Sequence, residues 1–362
     1  MSWMVDAKSP LVFGDGRSIG NIGGVRSLEL PWPSTLSGMV RTLAGTNENS
    51  GFDTTEIARV KQIAVQGPWL YSLTEQQAYF VMPKDMVWNR VDSGNQYTVT
   101  QLVCAQTNTK FPDGIVDTPM TYMVFPSQEL PEGKISGGPS FCSENQLTEW
   151  LLQPQNKTVS ASSAGVWGLL HDERTHVAIE WESKTARDGD LFSTDGVLLQ
   201  LSTHQEFAIG FTTDTRDLDR WKDKPCFLGG ERRVSYLRHS DRAYSPSAEL
   251  IEKLMQQNVW RVVFVTSGLF EEGACPDALC GQQILSYIVG RPQSISGWDY
   301  ELKGPKPSRR MVPAGSVYWI DVSQLSTEEK QGLLTNYWMK SSATNEQYRL
   351  DGFGIIVFGV GQ

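Results

Sequence analysis

Pro33-Ser-Thr-Leu-Ser-Gly-Met-Val-Arg-Thr-Leu-Ala-Gly45 is the stretch that decides the fold class. Leu36, Met39, Val40 and Leu43 recur at i, i+3, i+4 and i+7, which is one face of a helix. Ser34 is expected as its N-cap and Gly45 as its C′ glycine. Arg41 lies off the apolar stripe and is expected to face outward. A short strand at 10–13 and a glycine-rich connection to residue 24 precede the helix. Residues 65–73 and 78–82 then read as a strand hairpin.

Further along, residues 83–145 are rich in Pro, Gly and polar types and are expected as an irregular insertion. Strands are expected at 175–181, 197–202 and 206–211, with a short helix at 216–221 and a strand at 234–237. A second set begins near 245. There Ser245-Pro246 opens a helix whose apolar face is Leu250, Ile251 and Leu254. A strand follows at 260–266, then a helix at 276–289 and a strand at 317–321. Ser326-Thr-Glu-Glu329 is a capping box opening a helix to about 338. A strand at 353–358 closes the chain. Strands mixed with a few helices, twice over, predict an α+β protein of two βαββαβ modules with insertions. The first module is placed at 1–240, with its irregular insertion at about 83–170, and the second at 241–362.

The chain has 362 residues and a net charge of −9. That balance argues against a general nucleic-acid binder, which is normally basic. The sign is not uniform, however. Lys303-Gly-Pro-Lys-Pro-Ser-Arg-Arg310 carries four cations and no acid. Arg232, Arg233, Arg238 and Arg242 cluster around only Glu231 and Asp241. An acidic body with basic strips suits a subunit that grips nucleic acid at one face and protein at others. The 12 Trp residues are expected mainly as core fillers. Cys104, Cys142, Cys226, Cys275 and Cys280 are odd in number and form no Cys-x-x-Cys pair, so no disulfide framework is expected. The N-terminal residues lack an apolar signal-peptide core. The longest apolar run, near 259–265, contains Arg261 and is too short to span a bilayer. A soluble cytoplasmic protein without a membrane partner is expected.

Catalytic chemistry is sparse. His171-Asp172 resembles a phosphohydrolase dipeptide but lacks further His and Asp ligands. His171 and His176 do not form His-Glu-x-x-His. Cys275 and Cys280 have no zinc-ligand partners. Gly14, Gly16 and Gly20 lack the spacing and the following helix of a dinucleotide loop. Neither a Walker A sequence nor a Gly-x-Ser-x-Gly elbow occurs. No catalytic residue, metal or cofactor is expected.

What stands out instead are three glycine segments. They are Phe13-Gly-Asp-Gly-Arg17, Leu228-Gly-Gly-Glu-Arg-Arg233 and Gly352-Phe-Gly-Ile-Ile-Val-Phe-Gly359. Glycine lets a backbone approach a ligand closely, and arginine offers a planar fork suited to phosphate and base edges. Taken with Gly290-Arg-Pro-Gln-Ser-Ile-Ser-Gly-Trp-Asp299 and Lys306-Pro-Ser-Arg-Arg-Met-Val-Pro-Ala-Gly-Ser-Val-Tyr318, these segments stand in an order that resembles the RAMP superfamily of CRISPR-associated proteins. Within it the chain is most similar to the type III-B (Cmr) subunits that cap the 5′ end of guide RNA. Arg174-Thr-His-Val-Ala-Ile-Glu180 and Ala186-Arg-Asp-Gly-Asp-Leu-Phe192 resemble the outgoing and returning strands of a RAMP thumb, placed at about 174–195. The likeness is thin through 83–145.

The resemblance implies two ferredoxin-like (RRM-like) modules with a thumb-like β-hairpin. It implies that the repeat-derived 5′ tag of a CRISPR RNA is held between the modules and the thumb, without cleavage. It implies two protein partners, the large polymerase-like subunit and the adjacent RAMP backbone subunit. The residues expected at RNA are Arg17, Ser34, Thr35, Arg41, Lys184, Arg187, Gly229, Gly230, Arg232 and Arg233, with Phe192 as a candidate wedge between nucleotides. Single strands are read through base edges, stacking and the 2′-OH. One alternative is an active RAMP endoribonuclease using His171 or His176. Another is a sugar-binding enzyme, which would need a carboxylate pair. Glu180 and Glu182 share one strand face but lie on a strand expected to be structural.

Overall fold

The computed structural model describes residues 1–14, 27–47, 51–91, 95–107, 121–131, 135–240, 244–274, 276, 278–299 and 304–361. The chain forms two compact units that interleave in sequence. The first comprises Met1–Gln77, Gly168–Arg242 and Ser294–Arg310, and the second Ala78–Trp167, Ala243–Gln293 and Met311–Gln362.

The first unit is built on a sheet ordered Val65–Ser72, Phe207–Thr213, Ser2–Ala7, Val234–Ser240, Pro225–Phe227. All these neighbours are antiparallel. Numbered along the chain, its four longer strands lie in the order 2-3-1-4. The opening strand is Ser2–Ala7, where Trp3 and Val5 are buried and Ser2 and Met4 half-exposed. The strand expected at 10–13 is not there: Leu11 and Gly14 make only isolated bridges. Pro10 has no N–H to give a ladder, which limits that segment.

The helix Pro33–Gly45 buries Leu36, Met39, Val40 and Leu43, as its periodicity predicts. Its N-cap is Trp32, not Ser34. Pro33 occupies the first helical position, where its missing N–H costs nothing. Gly45 is the last helical residue rather than a left-handed cap. A Cβ there would lie 2.6 Å from the Phe52 ring, so close packing explains it.

The second unit centres on a sheet ordered Ala278–Leu279, Gln282–Ile288, Val317–Asp321, Val259–Phe264, Ile355–Val360, Lys340–Ser341. Its four long strands again run 2-3-1-4, with antiparallel neighbours. The helix expected at 276–289 is a strand. Ile284, Tyr287 and Ile288 fall at i, i+3 and i+4 because a register shift between Ile284 and Ser286 breaks the period of two. The Ser326 capping box is present and opens the helix Thr327–Tyr337. The helix near 245 spans Ala248–Gln256 and is capped by Ser247 rather than Ser245.

Nor is 83–145 irregular where it is described. Met86–Val91, Gln96–Gln106 and Tyr122–Pro126 join Ile135–Ser136 and Lys157–Ser160 in a five-stranded sheet. Asn89, Thr100 and Gln101 are buried in it, so polar letters on both faces hide the alternation. The helix Glu144–Leu152, with a full Ser143 capping box, also escaped the sequence reading. Among the described residues, no helix is long and apolar enough to cross a membrane.

Candidate nucleic-acid interface

Three segments distant in sequence meet at one place in the first unit: Val12–Gly14, the glycine-arginine loop 228–233, and the base of a long hairpin. That hairpin, Leu170–Ile179 with Ala186–Leu198, is a separate two-stranded sheet.

Residue by residue, the junction is closely tied. Leu11 and Val197 exchange backbone hydrogen bonds of 2.8 and 2.7 Å. The Phe13 N–H donates to Ser27 Oγ at 3.1 Å. Ser27 N–H donates to Asp195 Oδ2 at 3.0 Å, and its hydroxyl donates to the Asp195 carbonyl. His171 Nδ1 lies 2.8 Å from Asp195 Oδ1. Gly230 N–H donates to the Val12 carbonyl at 2.8 Å. Asp195 and Ser27, which the sequence reading passed over, therefore join the N-terminal segment to the hairpin.

The glycine loop is conformationally unusual. Gly229 has φ +80°, Glu231 +58° and Arg232 +50°. Left-handed backbone costs a non-glycine residue about 1–2 kcal/mol. Strain held by its surroundings clusters at functional sites. At Gly229 a Cβ would sit 2.5 Å from the Val12 carbonyl oxygen, so only glycine fits there.

Electrostatics divides the arginines. Arg233 is paired with Glu231, and Arg238 lies 2.8 Å from the buried Asp6 carboxylate. Arg232 is exposed, with no ion-pair partner among the described residues. Beside it Phe227 is 56% exposed and Val234 42% exposed, a cross-strand pair framing the loop. Cys226 and Leu228 point inward, so period-two alternation in Cys226-Phe-Leu228 was the signal that could have found Phe227.

The remaining sequence candidates are distributed as follows. Arg17 lies outside the described residues. Ser34 and Thr35 are half-buried in the first helical turn. Arg41 does not face outward: it is half-buried and donates to the Ile63 carbonyl at 3.0 Å. Gly229 and Gly230 are in the loop, but the Gly230 N–H is already held by Val12 and is not free for phosphate. Lys184 and Arg187 are near the hairpin tip. Lys184 Nζ sits 3.4 Å from the centroid of the Trp181 ring, and Arg187 Nε lies 3.3 Å from Glu180. Phe192 stacks on His176 at 5.2 Å between ring centroids. Thus the loop glycines and arginines are together, whereas Ser34 lies in the first helical turn, Arg41 reaches the Ile63 carbonyl, and Lys184 and Arg187 lie near the hairpin tip. In the strip 303–310, Lys306 N–H donates to the Gly297 carbonyl at 2.7 Å, and Arg309 and Arg310 are exposed.

Among the described residues, no group of three or more His, Cys, Asp or Glu is placed to hold a metal ion. Cys104, Cys142 and Cys226 are buried and unpaired with one another, and burial pushes each thiol up to about 12.

Among the solved chains that resemble this fold, two come from type III-B Cmr-beta complexes bound to cognate target RNA. One is 15% identical with TM-score 0.53, covering 99% of this chain and 96% of its own. The other, from a complex that also holds AMPPnP, is 16% identical with TM-score 0.50, covering 88% of this chain and 86% of its own. No curated protein sequence matches the chain. A family model described as CRISPR-associated protein (Cas_Cmr3) matches residues 3–361, nearly end to end, and the chain belongs to that family.

Proposed function

We propose that this chain is an RNA-binding, non-catalytic subunit of a type III-B effector complex, and that it holds the repeat-derived 5′ tag of the guide RNA. The observation that carries the reading is the convergence of Val12–Gly14, the strained loop 228–233 and the hairpin base at one surface. At that surface Arg232 supplies an exposed cation with no ion-pair partner among the described residues, and Phe227 an exposed ring for base stacking, worth about 1–3 kcal/mol per base. The membership of the family and the RNA-bound complexes of its structural neighbours support the same reading.

Each unit is read as a degenerate ferredoxin-like module. The strand order 2-3-1-4, antiparallel throughout, supports this, as does the crossover helix Pro33–Gly45 in the first unit. The partners are the guide RNA, a large polymerase-like subunit and an adjacent RAMP backbone subunit. A net charge of −9 fits a subunit that completes a groove with its neighbours rather than gripping RNA alone. The test is to purify the assembled complex and the isolated chain, and to measure binding of RNA carrying a 5′ tag. Tight retention with an exonuclease-resistant 5′ end is expected only in the assembly. Equal, tight protection by the isolated chain would remove the shared-groove account.

A specific observation keeps a second reading open to experiment. His171 faces Asp195 at 2.8 Å, the arrangement that orients an imidazole as a general base. Asp195 also accepts from Ser27, which gives the contact a bracing role in the preferred account. Incubation of the pure chain with repeat RNA, with and without divalent metal, should yield no cleavage. Cutting abolished by His171→Ala would install the endoribonuclease reading instead.

A further inference from the structure

The second unit carries an aromatic cluster outside the site described above. Trp88 and Arg90 alternate on one strand of the five-stranded sheet, and Tyr97 stands opposite Arg90 on the next, so all three share one face. Trp167 packs on that face, its ring centroid 4.7 Å from Tyr97 and 6.4 Å from Trp88. Trp88 is 6% exposed, whereas Trp167 is 39% exposed. The Gly138 backbone also rests against the Trp88 indole, since a Cβ there would come within 2.5 Å of it. Trp167 is held at two points. Its Nε1 donates to the Ala161 carbonyl at 2.9 Å, and its own carbonyl accepts from Ser140 Oγ at 3.3 Å. The indole's single donor is thus used, and what it offers outward is π surface.

Charge fixes the class of occupant. The chain holds 41 Asp and Glu, yet the strands Met86–Val91, Gln96–Gln106, Tyr122–Pro126, Ile135–Ser136 and Lys157–Ser160 contain none. Their two cations are Lys157, which lies 3.2 Å from Glu149, and Arg90, which is exposed with no ion-pair partner among the described residues. The groups bordering Trp167 are small and polar: Ser160, Ser162 and Ser163 are exposed beside the Ala161 carbonyl that holds the ring. The core of a protein–protein interface needs contiguous apolar surface, which one ring among hydroxyls does not supply. A fixed ring sharing an acid-free sheet face with an unpaired guanidinium suits an unpaired nucleic-acid base instead, ring on ring, with a phosphate at the arginine.

We propose that Trp167, with Tyr97 and Arg90, is a stacking site for one unpaired base of an RNA strand outside the 5′ tag. The base lies on the Trp167 indole, and an adjacent phosphate faces Arg90. Every base has a π face, so the site holds a strand without reading its sequence. It is additional to the loop 228–233 and does not depend on which RNA segment that loop holds. Two of its three residues lie in the stretch 83–145, where the resemblance to RAMP proteins is thin.

The experiment uses the full chain carrying Phe227→Ala and Arg232→Ala, so that the loop 228–233 contributes little, and a short labelled oligoadenylate with no tag sequence, followed by fluorescence anisotropy. Trp167→Ala in this background should weaken binding roughly tenfold, the loss of one stacked base, while Trp167→Phe keeps most of the affinity. Arg90→Ala should lower the slope of log affinity against log salt by about 0.7, as one lost phosphate contact on a single strand requires. Ultraviolet cross-linking should place an adduct on the peptide holding Trp167 or Tyr97. Trp167 also packs on Trp88, so thermal unfolding checks the Ala variant; should it fail to fold, the Arg90 slope and the cross-link decide, since Arg90 is exposed. Undetectable binding by the parent chain, unchanged affinity in a folded Trp167→Ala variant, or an unchanged slope in Arg90→Ala overturns the stacking site. None of these results bears on retention of the tag, which is measured in the assembled complex.

Discussion

Arg261 and Asp85 form an ion pair in the second unit with both side chains at 0% exposure. Both side chains make further hydrogen bonds. Arg261 Nε donates to the Val360 carbonyl at 2.7 Å and Nη2 to the Trp150 carbonyl at 2.6 Å. Asp85 Oδ1 accepts from Trp150 Nε1 at 2.9 Å. One arginine thus fastens the strand Val259–Phe264 to the helix Glu144–Leu152, the terminal strand and the start of the five-stranded sheet. Burying two charges is costly, so the pair adds little net stability, but removing one partner strands the other. Arg261→Met is expected to cost about 3–5 kcal/mol in urea unfolding. Combining it with Asp85→Leu should recover most of that loss. A loss below about 1 kcal/mol for the single variant would show that the pair is not desolvated as described.

Two glycines of opposite character make a paired prediction. Gly38 is exposed in the first helix, and a Cβ there meets nothing within 4 Å. Gly38→Ala should stabilise by about 0.5–1 kcal/mol through helix propensity. Gly229→Ala should destabilise by about 2 kcal/mol or more, from left-handed backbone plus collision with the Val12 carbonyl. Thermal unfolding of the two variants side by side checks both signs. A neutral Gly229→Ala would mean that the loop is not held against Val12.

The buried cysteines predict a chemical response. With thiols pushed up to about 12 by burial, the reactive thiolate fraction of Cys104, Cys142 and Cys226 at pH 8 is about one in ten thousand. Iodoacetamide should leave these three unmodified in the native protein and label them fully in denaturant, as read by peptide mass analysis. Rapid native labelling at any of them would contradict their burial.

The same features explain what the sequence disclosed and what it concealed. Leu36, Met39, Val40 and Leu43 gave the first helix because nothing polar interrupts their stripe, and Ser326 with Glu329 gave a cap whose chemistry is local. Gln282–Ile288 was misread because a register shift imitates helical spacing. The sheet within 83–145 was misread because Asn89, Thr100 and Gln101 are polar residues that the fold nevertheless buries. At the site, Gly229, Arg232 and Arg233 were legible as a local cluster. Asp195, Ser27 and the Val12 carbonyl were not, since they meet the cluster only through long-range pairing. Arg41 was misjudged because its acceptor, the Ile63 carbonyl, is 22 residues away.

Arg232 and Arg233 separate a phosphate-gripping loop from a surface turn. Replacing both with Ala should weaken retention of guide RNA by the complex. For every phosphate that an arginine no longer neutralises, the slope of log affinity against log salt should fall by about 0.7, as for single strands. Arg232→Ala alone should account for most of the weakening, since Arg233 is already committed to Glu231. An unchanged affinity and slope would return the loop to an ordinary turn.

The central claim, that the loop 228–233 and its neighbours hold the 5′ tag, is tested most directly by ultraviolet cross-linking of the assembled complex followed by peptide mass analysis. Adducts from tag nucleotides should fall within 225–240, with Phe227 the leading position because its ring is 56% exposed beside Arg232. Tag adducts confined to the hairpin tip at 177–192, or to residues of the second unit, would contradict the account.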